Sequence, residues 1–128
     1  MVRENIGLFR GKRIDNDEWV EGYLRHPNLV FEGMWFIEDE TTANFEVDPE
    51  TIGEYTGKSV KTGKVFAGDI GRDIDGLFLV RWDRKKSSFV MEYYGYPYET
   101  LYLEEMWDDA EIIGNIHDNP ELLKGGED

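Results

Sequence analysis

The sequence predicts a mainly β protein, a small barrel or sandwich carrying only short helical turns. Short apolar runs with period-two alternation recur at close intervals between Gly, Asn and Asp, while apolar residues at helical spacing are scarce. Of the 128 residues, 40 % are hydrophobic and 14 % aromatic, enough to fold a chain in which 33 % are charged. A chain of this length buries roughly 60 % or a little more of its unfolded surface. There is no Cys, so the core is built by packing alone. Disulfides, a Cys-ligated zinc, an iron–sulfur cluster and a thiol nucleophile are all excluded.

The elements follow in order. Gly7 to Gly11 and Trp19 to Leu24 read as two strands around an Ile14–Asp17 turn, with Trp19, Glu21 and Tyr23 on one face and Val20, Gly22 and Leu24 on the other. Met34-Trp35-Phe36-Ile37 reads as a buried strand. Asp48 to Gly53 reads as one helical turn, with Asp48 as N-cap, Pro49 at the first helical position and Gly53 as the stop. The strongest β signal is a hairpin: Leu77 to Trp82, with Phe78, Val80 and Trp82 buried on one face, a polar turn from Asp83 to Ser88, and a return over Phe89 to Tyr94. Leu101–Leu103 is a further short strand, Glu104–Asp109 a short helix or acidic loop, and Ile112–His117 a closing strand. Asn119-Pro120 starts a last helical turn, and Gly125–Asp128 is a frayed tail. No linker, repeat or low-complexity stretch interrupts this order.

Charge narrows the functional classes. The net charge is −14, carried unevenly: residues 38–55 hold seven acids and no base, residues 99–128 ten acids and one base, and residues 56–98 between them are net +3. A negative surface repels phosphate backbones at long range, so general nucleic-acid binding is disfavoured. No apolar run approaches the ~18 residues of a membrane span. The first residues lead into no signal-peptide core, so a cytoplasmic protein is expected.

Motifs with chemical meaning are few. Gly57-Lys58-Ser59 resembles the end of a phosphate-binding loop, but Ile52 stands where that loop needs its first Gly. Asp69, Asp73 and Asp75 have calcium-like spacing without the later bidentate acid. Glu104, Glu105, Asp108 and Asp109 could gather a cation on a helix, but a solvated face is the expectation, and no metal or cofactor is assigned. His26 and His117 are the only histidines, and Ser59, Ser87 and Ser88 lie in polar turns, so no catalytic residue is assigned either. Two clusters are candidate contacts. Tyr93, Tyr94, Tyr96, Tyr98 and Tyr102 place five tyrosines in ten residues, a composition suited to a protein-contact surface. Arg81, Arg84, Lys85 and Lys86, beside Trp82, form a basic patch that could meet phosphate or the acidic blocks of this or a neighbouring chain.

Four ordered motifs carry a family resemblance: Phe9-Arg10-Gly11-Lys12 with Trp19-Val20-Glu21-Gly22-Tyr23, then Val47 to Gly57, Gly63 to Ile70, and Ile112 to Leu123. Together the chain resembles the YopX family of phage and prophage proteins of Gram-positive bacteria, with a slightly different polar turn at Lys58–Lys61. The resemblance implies a single β-rich domain over 1–128: an N-terminal β segment over about 1–60, an SH3-like barrel over about 68–117 that opens at Gly68-Asp69-Ile70, and a tail over 118–128. It brings no established activity and no site residues. The expected function is that of a non-catalytic phage or prophage accessory protein in the host bacterial cytoplasm. It would bind a phage or host protein, or a second copy of itself. Two alternatives stay open: an acidic nucleic-acid mimic that blocks a host DNA-binding enzyme, and a single-strand nucleic-acid binder using the basic hairpin turn.

Overall fold

The computed structural model describes residues 7–25, 33–94 and 100–124, and these fall in two compact units, Met1–Tyr55 and Thr56–Asp128. Antiparallel strands dominate both, as the alternation in the sequence predicts. In the first unit, β1 (Leu8–Lys12), β2 (Trp19–Arg25), β3 (Trp35–Glu38) and β4 (Asn44–Val47) follow one another as an antiparallel meander. The turn after β1 uses Asp17 in the left-handed region (φ 61°). Gly22 lies so close to β3 that a Cβ there would stand 2.0 Å from the Glu38 carbonyl oxygen. Ile37 and Val47 are fully buried against Gly11. Of the run expected to be buried, only Ile37 is; Met34, Trp35 and Phe36 are half-buried.

The Val47–Gly57 motif ties these strands together. Asp48 caps a single 3-10 turn, Pro49–Thr51, its carboxylate accepting from the Glu50 amide at 3.0 Å. Thr51 is buried, donates to the Asp48 carbonyl (2.6 Å) and accepts from the Lys12 amide (2.8 Å), locking the turn to the end of β1. The turn stops at Ile52, one residue before the expected Gly53. Gly53 already belongs to β5 (Gly53–Val60), whose first residues pair with β1.

The second unit takes the rest of β5 and β6 (Gly63–Phe66), then β7 (Asp69–Asp73), β8 (Gly76–Asp83), β9 (Ser88–Tyr93), β10 (Thr100–Tyr102), a 3-10 turn at Leu103–Glu105, β11 (Glu111–Asn115) and the helical turn α1 (Glu121–Lys124). Strands β7 to β11 form one antiparallel sheet in the order β10-β9-β8-β7-β11, and the described pairings leave β10 and β11 at its edges rather than closing a barrel. The predicted hairpin is β8–β9, in register from Phe78↔Tyr93 to Asp83↔Ser88. Phe78, Val80, Met91 and Tyr93 build the core with Val65 and Leu103. Trp82, expected to be buried with Phe78 and Val80, is 49 % exposed, because it lies one residue from the hairpin turn, where the sheet runs out of cover. The buried Asp69 accepts from the Phe66 amide at 2.7 Å, closing the turn before β7. Within the expected tail, residues 118–124 are structured, and Gly125–Asp128, expected to fray, lie outside the described residues. Asn115 accepts from the amides of His117 and Asp118, Asn119 accepts from the Asn115 amide, and Leu123 is buried.

Candidate protein-contact surface

The β8–β9 turn is built around Asp83. Its carboxylate accepts from the backbone amides of Lys85 (2.9 Å) and Lys86 (3.1 Å), and Ser87 completes the turn in the left-handed region (φ 49°). These amide bonds, foremost that from Lys86, hold the Asp83 carboxyl below its ordinary pKa. The turn pushes Arg84, Lys85 and Lys86 into solvent.

The four bases of the predicted patch divide by occupation. Arg81 spends its charge within the sheet, pairing with Glu92 across the hairpin (2.9 Å) and with Asp83 (3.7 Å). Lys86 folds over β10, where Nζ donates to Thr100 Oγ1 (2.8 Å) and to its carbonyl (3.3 Å) and stands 5.0 Å from the centre of the Tyr102 ring. Arg84 and Lys85 are exposed and make no ion pair among the described residues.

The tyrosines divide as well. Tyr93 is a core residue, 3 % exposed, packed on Phe78 (ring centres 5.4 Å apart), and its hydroxyl donates to Asp73. Burial, followed by the bond to the Asp73 carboxylate, pushes its pKa far above the ordinary tyrosine value. It therefore offers no contact area, contrary to the sequence reading. Tyr94 and Tyr102 are both exposed, at 39 % and 40 %. Tyr96 and Tyr98 lie outside the described residues. The residues that sequence reasoning missed are Trp82 and Phe89, which meet edge to face at the turn end (centres 5.0 Å apart, 79°) with Trp82 half in water. Their distance from the turn was the available signal.

Two of the acids with calcium-like spacing serve the fold. Asp69 is buried in a turn, and Asp73 holds the Tyr93 hydroxyl. Among the described residues no three metal-ligating side chains gather, and no helix is long and apolar enough to cross a membrane.

The family model described as YopX protein matches residues 8–124 of this chain. The chain belongs to the YopX family. Among curated proteins none matches it. The YopX match runs through both units. It includes the capped turn at Asp48, the buried Asp69 and the Asn115–Asn119 network, residues whose bonds account for the motifs in structural terms.

Proposed function

We propose that this YopX protein is a non-catalytic protein-binding module that presents the turn end of β8–β9–β10 to its partner. The observation that carries the reading is the Trp82–Phe89 pair, half in water at the turn end of the hairpin, beside Arg84 and Lys85, which make no ion pair among the described residues. Aromatic rings and arginine dominate the energy of protein contacts, while the rim supplies charge. The partner it fits has an apolar patch edged with carboxylates. We read the second unit as an SH3-like domain, supported by its strand order and by the 3-10 turn between β10 and β11. A phage or prophage accessory role in the host cytoplasm is the setting suited to such a module.

The mimic alternative needs rows of free carboxylates. Instead Asp39 caps a turn at Thr41 and Ala43, Asp48 caps another, and Glu38 pairs with Arg25, so much of the acidic block 38–55 serves the local fold. The decisive experiment compares the wild type with a double Arg84→Glu, Lys85→Glu variant in capture from host lysate, with circular dichroism as the fold control. Loss of a captured protein in the folded variant supports the module. Unchanged capture overturns it, and salt-dependent retention of single-stranded DNA by the wild type alone would move the surface to nucleic acid.

A further inference from the structure

Strand β8 ends in two unlike surfaces. At the end away from the basic turn, Asp73 pairs with Gly76 and leaves Ile74-Asp75 as a two-residue hairpin turn. Such turns favour Gly, Asn and Asp. Asp75 fits, its amide donating to Asp73 Oδ1 at 2.8 Å, but Ile74 is not of a turn-favouring type and is 84 % exposed. Trp107, 55 % exposed, is joined to this turn through Nε1, which donates to Asp75 Oδ2 at 3.4 Å. A lone surface Ile or Trp is ordinary. Here the two flank Asp75, Ile74 as its chain neighbour and Trp107 as its hydrogen-bond partner, and Trp107 runs on into the exposed Asp108 and Asp109. The result is an apolar knob with a negative rim. The other end of β8 is its complement: Trp82, packed on Phe89, with Arg84 and Lys85. Strand β8, Gly76–Asp83, rises ~3.3 Å per residue and so holds the two ends roughly 25 Å apart. One copy cannot bring its own ends together.

We propose that the protein self-associates head to tail. The Ile74–Trp107 knob of one copy docks on the Trp82–Phe89 end of the next, with Asp75, Asp108 and Asp109 facing Arg84 and Lys85. This rests on the reading of the basic end as a protein-contact surface and supplies the identity of what it contacts. Each side has an apolar centre and a charged rim, and the rims are opposite in sign. The two surfaces differ, so the contact is heterologous, and copies add until a ring closes or a chain runs on.

The test is sedimentation velocity on the full chain at rising concentration, with circular dichroism as the fold control. The wild type should exceed the mass of two chains. Ile74→Asp, and separately the double Arg84→Glu, Lys85→Glu variant, should each weaken association at least tenfold and sediment as monomers. Mixed in equal amounts, they should give two-chain complexes and nothing larger, because the mixture retains one intact knob and one intact basic end per pair. A monomeric wild type, folded variants that still associate, or a mixture that stays monomeric would overturn the proposal. A monomeric wild type whose basic end still captures another protein, lost in the Glu variant, would leave the contact surface standing and remove self-association alone.

Discussion

The hairpin β8–β9 carries two aromatic cross-strand pairs on one face, and they have opposite fates. Phe78–Tyr93 is sealed in the core, while Trp82–Phe89, four residues along, stands half in water. Both satisfy the same alternation, so period two assigns a side chain to a face but not to a depth. Depth depends on what covers the sheet. Leu103, Met106 and Val65 join the core around Phe78 and Tyr93, and that cover thins toward the turn. The buried pair serves stability and the exposed pair is available for contact.

Substitutions can break this contrast, and the largest effect belongs to the buried end. Phe78→Ala should cost about 3–5 kcal/mol in chemical denaturation, as other large-to-small core changes do. Trp82→Ala should cost on the order of 1 kcal/mol, the worth of a partly solvated aromatic pair. Equal losses at the two positions would mean that Trp82 is covered in solution. Next comes Gly71, which lies opposite Phe78 in β7. A Cβ there would fall 2.2 Å from the Phe78 ring, so Gly71→Ala should destabilise by about 1–3 kcal/mol through overpacking. The same measurement on Gly57→Ala is a poor control, because Gly57 has φ 89° and is strained for any side chain.

The Tyr93 hydroxyl gives a third effect, of similar size, and a pH signature. Its folded pKa lies above the unfolded value, so the stability it contributes is complete below pH ~10 and is lost as the pH rises beyond that. In a spectrophotometric titration Tyr93 should lag the exposed tyrosines and ionise with unfolding. Tyr93→Phe should cost about 1.5–3 kcal/mol at neutral pH, as expected for a hydrogen bond to a carboxylate, and should remove its share of the alkaline loss. An unchanged alkaline limb in that variant would place the loss elsewhere.

Much of the fold was legible because it is local. The β8–β9 hairpin, the capped turn at Asp48 and the two first strands each follow from neighbouring residues. Strands β4 and β6 were not, since Asn44-Phe45-Glu46-Val47 and Gly63-Lys64-Val65-Phe66 are short, polar at alternate positions and become strands through their partners. The site was half legible. Composition located the tyrosines and the bases, but not that Tyr93 turns inward or that Arg81 is consumed by Glu92, because both depend on cross-strand register. The Ile74–Trp107 knob is held by a hydrogen bond between Asp75 and Trp107, 32 positions apart in sequence, which no local pattern encodes.

The smallest expected effect belongs to the exposed end and mirrors the alkaline behaviour of the buried one. Asp83 has a folded pKa below its ordinary value because its carboxylate accepts from the Lys86 and Lys85 amides. The sign is therefore reversed. Its contribution is present above the ordinary carboxylate range and is lost as the pH falls through that range toward the depressed folded value. Asp15, held by Arg13, and Asp39, held by Thr41, act in the same direction in the first unit, so the acid limb is shared and global unfolding would not isolate Asp83. Amide exchange at Lys85 and Lys86 does isolate it. Protection of these two amides should fall between pH 5 and about 3 in the wild type after correction for intrinsic exchange rates. Asp83→Asn retains an accepting Oδ1 without a charge, so it should keep the turn and flatten that dependence. Asp83→Ala should lose protection of both amides at every pH while leaving Val80 and Met91 protected, because the turn end opens without the core. If Asp83→Ala also exposes Val80 and Met91, the two ends of the hairpin are one cooperative unit and the division between a stabilising end and a contact end fails.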